Sequence, residues 1–319
     1  MNSTPCNPNA SMEVAAVVKF LSELSGRGII IGQHTKTKAQ EELSYLQKYT
    51  GKLPALCGFE LLSYSPNIRL ETCDEECLKE VYENKDTLEE AWEWAEKKGL
   101  ITFTWHWFSP IGGADKSFYA RNTDYDASKA LTQGTEENKA FISDMDHMAE
   151  ILKRFRDKHI PIIWRPFHEA DGSWFWWGSH GSEVAKGLYR FMYDRYTNYH
   201  KLDNLIWVWN SPQKEGYVGD DVCDVISRDL YTAAHQHTDL AESYKELIQI
   251  TPANKIVAIG EIGAMPSLPS LSKTKIPWVW FMTWCGEYIT SEKFTDRDEI
   301  YKAYHSEYAV TLDKLPQLY

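Results

Sequence analysis

Short apolar runs recur along the chain, separated by amphipathic stretches. The runs are residues 27–34 (RGIIIGQH), 54–61 (PALCGFEL), 100–107 (LITFTWHW), 161–167 (PIIWRPF), 204–210 (NLIWVWN), 224–231 (DVISRDLY), 255–263 (KIVAIGEIG) and 278–285 (WVWFMTWC). Their length and their β-branched and aromatic content read as strands. Helical stripes lie between them. Phe141, Met145, Met148, Leu152 and Phe155 recur at alternating spacings of four and three, one face of a helix. Val14, Val17, Val18, Leu21 and Leu24 make a second stripe, with Ser11 placed to cap it. Leu88, Trp92 and Ala95 make a third, and Val184, Leu188, Phe191 and Met192, after Ser182, a fourth. The Met and aromatic residues of these stripes are expected in the core.

Near-continuous apolar strands that alternate with helices imply a parallel sheet covered by helices. Eight such units in 319 residues predict a (β/α)8 TIM barrel, one domain over residues 1–319. An open doubly wound sheet is the alternative, but neither GxGxxG nor GxxxxGK[ST] is present to mark its phosphate loop.

In a barrel the active site forms where strands end and loops begin. Those ends carry Gln33-His34, His106-Trp107, Arg165 with His168-Glu169, Trp209-Asn210, Asp229 with Tyr231, Glu261, and Trp284. Charged or aromatic residues on seven of eight ends are hard to read as packing alone. After strand four comes a loop with Trp174, Trp176 and Trp177. Flat aromatic faces there suit stacking on sugar rings, although adjacent Trp176 and Trp177 should point apart, at least one as buried support. Glu169 and Glu261 end strands that face each other across a barrel. Two carboxyl groups about 5–5.5 Å apart suit retaining cleavage of a glycosidic bond. Burial by His168 and Trp174 would favour neutral Glu169, and donation from Arg165 and Tyr231 would keep Glu261 ionised.

Residues 165–178 (RPFHEADGSWFWWG) closely resemble the signature of glycoside hydrolase family 26, chiefly β-mannanases. Residues 260–263 (GEIG) resemble that family's nucleophile segment. Thr104-Trp105-His106, and Gly219-Asp220-Asp221 followed by Asp229-Leu230-Tyr231, add to the likeness, which extends from Gly32 to Trp284. The resemblance implies Glu169 as acid/base and Glu261 as nucleophile. Substrate would be held by His106, Arg165, His168, Trp174, Tyr231 and Trp284. It implies a retaining endo-β-1,4-mannanase acting on mannan, glucomannan and galactomannan. Cleavage of mixed-linkage β-glucan or β-1,3-xylan is the alternative within the family, and a non-catalytic carbohydrate-binding protein the alternative of another class. Many members carry Met-Asn where this chain has Ala170-Asp171. An Asp171 facing the groove would raise the acid/base pKa.

The charge balance, 34 basic against 46 acidic residues or −12 net, argues against nucleic acid and anionic membrane as partners. The first residues, from Met1-Asn2-Ser3, show no basic segment leading into an apolar core, so no signal peptide is read there. That fits an intracellular protein or a mature domain. A polymeric substrate would place the enzyme outside the cell, and it is expected to be a monomer. No cofactor and no metal are expected. His235 and His237 lack a completing carboxylate pattern, and Asp220-Asp221 reads as a solvated turn or a hydrogen-bonded structural pair before a calcium site. Cys73 and Cys77 could bridge, whereas zinc would need two more close ligands. The long segments 63–86 and 108–136 are expected to wall the cleft.

Overall fold

A computed structural model describes residues 3–36, 40–113 and 115–319, so Met1 and Asn2 of the start read above lie outside the described residues. All eight strand readings are found, each shorter than its apolar run: β1 (Ile29–His34), β2 (Leu56–Glu60), β3 (Leu100–Thr104), β4 (Ile162–Arg165), β5 (Leu205–Asn210), β6 (Val225–Leu230), β7 (Ile256–Ile262) and β8 (Trp280–Thr283). They pair in parallel in sequence order. The circle closes through β8–β1 and β1–β2, with Ile31 opposite Phe281 and Gly32 opposite Leu56. Closure excludes the open-sheet alternative. A short ninth strand, β9 (Ala309–Val310), adds to β1 and was not anticipated.

Alternation along the strands divides the apolar side chains into two bodies. Ile30, Leu56, Leu100, Ile163, Ile206, Val225, Ile256 and Trp280, one from each strand, fill the lower barrel. The helix Met12–Leu24 plugs its floor with Val14, Val17, Val18 and Leu21, and the Ser11 hydroxyl accepts from Val14 N at 3.3 Å, as a cap should. Outward-facing Ile31, Phe59, Phe103, Trp164, Trp207 and Phe281 pack with residues of the surrounding helices. The helix Glu136–Arg156 buries the whole Phe141–Phe155 stripe, and Ser182–Asp194 buries Leu188 and Met192. On Thr87–Glu96, Trp94 is buried and Trp92 only half-buried. With the lower barrel filled by hydrocarbon, the polar inward residues collect at the upper rim.

The buried carboxyl of Asp144 lies outside that rim. Asp144, on the helix Glu136–Arg156, accepts from Trp107 Nε1 at 2.7 Å and from Asn67 Nδ2 at 2.7 and 2.8 Å. Burial pushes it up to about 7, against the lowering effect of both donors. Folding therefore favours its protonated form. That contribution is present below the unfolded value, about 3.9, and is lost as pH rises through about 7. Asp144→Asn should remove a stability slope of up to about 1.4 kcal/mol per pH unit across this window. Thermal midpoints of both proteins from about pH 4 to 8 check it; parallel profiles would remove Asp144 as the source.

Candidate active site

Glu261 reaches the barrel mouth because β7 is irregular. Arg228 pairs with Ile259 but Asp229 pairs with Glu261, so Gly260 is an extra residue in the ladder. Such a bulge reverses which face the following side chains take. Ile256 and Ala258 point inward and Ile259 outward; strict alternation would turn Glu261 onto the helices. The bulge returns it to the interior. A Cβ on Gly260 would collide with Asp229 Oδ1 and lie 2.6 Å from Asn210 Nδ2. Gly260→Ala should therefore cost roughly 1–3 kcal/mol of stability and misalign Glu261. A chemical-denaturation midpoint and a crystal structure of the variant test this; a wild-type midpoint with Glu261 unmoved would show that the bulge tolerates a side chain.

Arg165, at the end of β4, joins the carboxylates. Its NH2 donates to Glu261 Oε1 at 2.5 Å and to Thr104 Oγ1 at 2.9 Å. Its NH1 donates to Asp229 Oδ2 at 3.0 Å. The Tyr231 hydroxyl donates to the other Glu261 oxygen at 2.6 Å. Both contacts to Glu261 come from donors, the pattern an ionised carboxylate accepts. Burial and the negative charge of Glu261 push the Tyr231 phenol well up, so it remains a donor. Burial also raises Asp229, with Arg165 opposing and the neighbouring carboxylates adding to the rise.

Glu169 lies across the cleft in a left-handed backbone conformation, φ 52°, as does Phe167. Such geometry in non-glycine residues is strained and is concentrated at functional sites. Asn210 fixes it. Its Oδ1 accepts from Glu169 N at 2.7 Å while its Nδ2 donates to Asp229 Oδ1 at 2.9 Å. Burial first and Glu261 second raise the Glu169 carboxyl, against donation from Trp174 Nε1 at 2.8 Å. Trp174, expected to favour the neutral form of Glu169, donates its indole N–H to the carboxyl group and so opposes the rise that burial causes. Oxygens of Glu169, Asp229 and Glu261 lie within 4.8 Å of one another, a set able to hold a cation, but the Arg165 guanidinium supplies the positive charge beside Asp229 and Glu261.

A buried chain of rings borders this centre. His106 Nδ1 is 2.7 Å from Glu60 Oε2, and its backbone N–H donates to Glu60 Oε1 at 2.8 Å. Burial lowers His106, but the charge and hydrogen bond of Glu60 outweigh it and the net shift is upward. His168 Nε2 stands 3.2 Å from His106 Nε2. Burial, then the cationic character of His106 and Arg165, drives His168 far down, so His168 is neutral beside a His106 whose shift is upward. Trp284 lies 6.3 Å, centroid to centroid, from His106 and 4.6 Å from His34. All eight residues named from the sequence thus converge. Sequence reasoning missed Glu60, which ends β2 inside an apolar run, and placed Asn210 and Asp229 at strand ends without giving them tasks.

The Trp cluster divides sharply. Trp174 is 47% exposed over the cleft, whereas Trp176 and Trp177 are fully buried. Their indole N–H groups donate to Trp107 O and His168 O, at 2.7 and 2.8 Å. Both are therefore support, and Trp174 alone of the three offers a face. Asp171 is exposed and interacts with Ser211 and Arg228, and the rise in Glu169 comes from burial and Glu261 instead. Cys73 and Cys77 are thiols with Sγ atoms 3.0 Å apart; Asp115 completes a possible three-ligand cluster that spacing did not reveal. Asp220 accepts from Tyr217 and Thr251, and Asp221 pairs with Arg190, so this pair is a hydrogen-bonded structural element. His237 Nδ1 is occupied by Met265 O at 2.7 Å.

The match to known proteins is continuous with this geometry. Residues 6–314 match the model of glycosyl hydrolase family 26. The chain belongs to glycosyl hydrolase family 26. Among family relatives, a mannan endo-1,4-beta-mannosidase of Thermothelomyces thermophilus is 35% identical over 99% of this chain and 64% of its own length. Mannan endo-1,4-beta-mannosidase B of a Piromyces species is 30% identical over 99% of this chain and 54% of its own. This chain thus spans between about half and two thirds of those relatives. A solved GH26-CBM35 beta-(1,4)-mannanase of Podospora anserina superposes with a TM-score of 0.90 at 33% identity, covering 100% of this chain and 70% of that one. A beta-mannanase from a symbiotic protist of the termite Reticulitermes speratus, solved with a gluco-manno-oligosaccharide, gives 0.89 at 31% identity, covering 99% and 98%.

Proposed function

We propose that this chain is a retaining endo-β-1,4-mannanase. The observation that carries the mechanism is the close placement of Glu169 and Glu261, whose oxygens lie within 4.8 Å. Oxygens this near fit double displacement, for which the carboxyl groups stand about 5–5.5 Å apart, better than the roughly 6.5–9.5 Å that admits a water. Glu261 attacks the anomeric carbon while Glu169 gives its proton to the departing oxygen. The glycosyl–Glu261 ester then forms. Glu169, now a carboxylate, takes a proton from water, whose oxygen attacks the same carbon and frees Glu261. Arg165 and Tyr231 hold the Glu261 oxygens during both steps, and Trp174 offers a stacking face beside the proton donor. The relatives' names support the choice of mannan. A polymer of that size is cut outside the cell, where we expect the enzyme to act as a monomer.

The test is digestion of undecorated mannan, glucomannan and lichenan, with products resolved by size and the first-formed anomer read by NMR. Mixed-length manno-oligosaccharides released as the β-anomer support the reading. Cleavage of lichenan alone would replace the substrate, and initial α-anomers would replace the mechanism.

A further inference from the structure

We propose that Cys73, Cys77 and Asp115 form a binding site for a thiophilic divalent cation of the zinc class. The ion would tie together the two long segments that follow β2 and β3. The three residues take no part in the sugar chemistry, so the site stands whichever polysaccharide the enzyme cleaves.

The start of a helix brings the two thiols together. Asp74 caps the helix Glu75–Glu83, and its side chain accepts from Cys77 N at 2.7 Å. Cys73 therefore stands just before the cap and Cys77 in the first turn, with Sγ atoms 3.0 Å apart. Two ligands are too few for zinc. The third comes from the other segment. Asp115 lies 41 residues beyond Asp74, yet its Oδ1 accepts from Asp74 N at 2.7 Å. Its backbone carbonyl accepts from Asn122 Nδ2. The carboxyl group is thus held in place before any ligand arrives. One of its oxygens and both Sγ atoms lie within 4.8 Å of one another. That span suits three ligands around one ion, for which Zn–S is about 2.3 Å and Zn–O about 2.0–2.2 Å. Cys77 is buried, but Cys73 and Asp115 are half-buried, so water can fill the fourth tetrahedral position.

The donor set decides the class of ion. Two thiolates and a carboxylate suit zinc and its soft neighbours, whereas calcium and magnesium take oxygen ligands. The local charge also favours a cation. Glu71, Asp74, Glu75 and Glu76 crowd the first segment, with Asp115 opposite. The neighbouring Lys116 is taken up by Glu76 and Glu80, at 2.7 and 3.0 Å. Burial first, then Cys77 and the charges of Asp115 and Asp74, push the Cys73 thiol up to about 12. A dication reverses that balance and takes the thiolate in place of the proton. A disulfide between the same sulfurs is the rival. It would use two of the three groups and leave the Asp115 carboxylate facing a neutral bridge.

The experiment adds cadmium, and then zinc, to the reduced full chain after the reductant has been removed without air. Cadmium held by thiolates gives an ultraviolet sulfur-to-metal charge-transfer band that oxygen ligands do not. In wild type the band should saturate at one ion per chain and fade as zinc displaces cadmium. Cys73→Ser/Cys77→Ser should lack the band. Asp115→Ala should bind at least about tenfold more weakly, since even outer-shell partners are each worth about 10–100-fold in metal affinity. Saturating zinc should raise the thermal midpoint of wild type and leave that of the double variant where it was. A band that persists in the double variant would place the ion on Cys6, Cys57, Cys223 or Cys285 and overturn the site. Equal affinity in Asp115→Ala would do the same, as would wild type without a band. A Cys73–Cys77 disulfide that re-forms in place of metal uptake, found by peptide mass mapping, would replace the site with a redox pair.

Discussion

Glu261→Ala is expected to lower mannan turnover by on the order of 10⁴-fold or more while the protein stays folded, because under the proposed double displacement it removes the atom that bonds to the sugar. The fold should survive for a local reason. Arg165 is fully buried and would be costly to strand, but without Glu261 it still has Asp229 at 3.0 Å and Thr104 at 2.9 Å. The Tyr231 ring is 47% exposed, so its freed hydroxyl can turn to water. The apolar filling of the lower barrel lies away from the change. Azide should restore cleavage of an activated aryl glycoside by entering the space of the missing carboxylate, and should give the glycosyl azide of inverted configuration. Native circular dichroism with ordinary mannan turnover would remove Glu261 as the nucleophile.

What was legible in the chain, and what was not, follows from how far each signal reaches along the sequence. The eight strands were readable because parallel strands covered on both faces are nearly pure runs of Ile, Val, Trp and Phe. Their ends blurred, since Trp105 and Trp107 prolong the apolar run after β3 stops at Thr104. The helices Glu41–Thr50, Ala241–Leu247 and Leu268–Thr274 escaped because each is short and buries only a few side chains against a wide sheet. The facing of Glu169 and Glu261 followed from barrel symmetry alone. The bulge at Gly260 did not. It depends on register against β6, and a run such as IVAIGEI has no polar alternation from which to count faces. Glu60 was hidden in the same way. A carboxylate in a buried strand draws attention only when its partner is known, and His106 stands 46 residues away.

Buried partners also explain why one arginine organises the centre. Arg165 brings one positive charge to Asp229 and Glu261, with Glu169 nearby, so the three carboxyl groups compete for it. Glu261 and Asp229 touch the guanidinium; Glu169 does not, and instead accepts from the neutral Trp174 indole. Burial first and nearness to Glu261 second thus raise Glu169, and burial raises Asp229 as well despite its contact with Arg165. The surroundings of the two glutamates differ by burial and by which strand end carries the cation, not by any difference between two identical side chains.

From that placement comes the second large effect. Glu169→Gln should lower turnover of mannan by about 10²–10⁴-fold, because the sugar hydroxylate is a poor leaving group without a proton. An aryl mannoside with an acidic phenol departs without help, so its first step should keep most of its rate. The second step still needs a base for water, and Gln cannot act as one. The glycosyl–Glu261 ester should therefore accumulate, visible as a burst of phenol followed by slow release and as a mass increase of one glycosyl unit on the intact protein. The pH profile supplies the sign. Burial and Glu261 raise Glu169, so the wild type keeps its acid form to higher pH than an ordinary carboxyl, and activity on mannan falls as pH rises through that raised value. The residual activity of Glu169→Gln on the aryl substrate should lack this alkaline limb. A limb that persists unchanged in the variant would assign the proton to another group, with Asp229, also raised by burial, the first to examine.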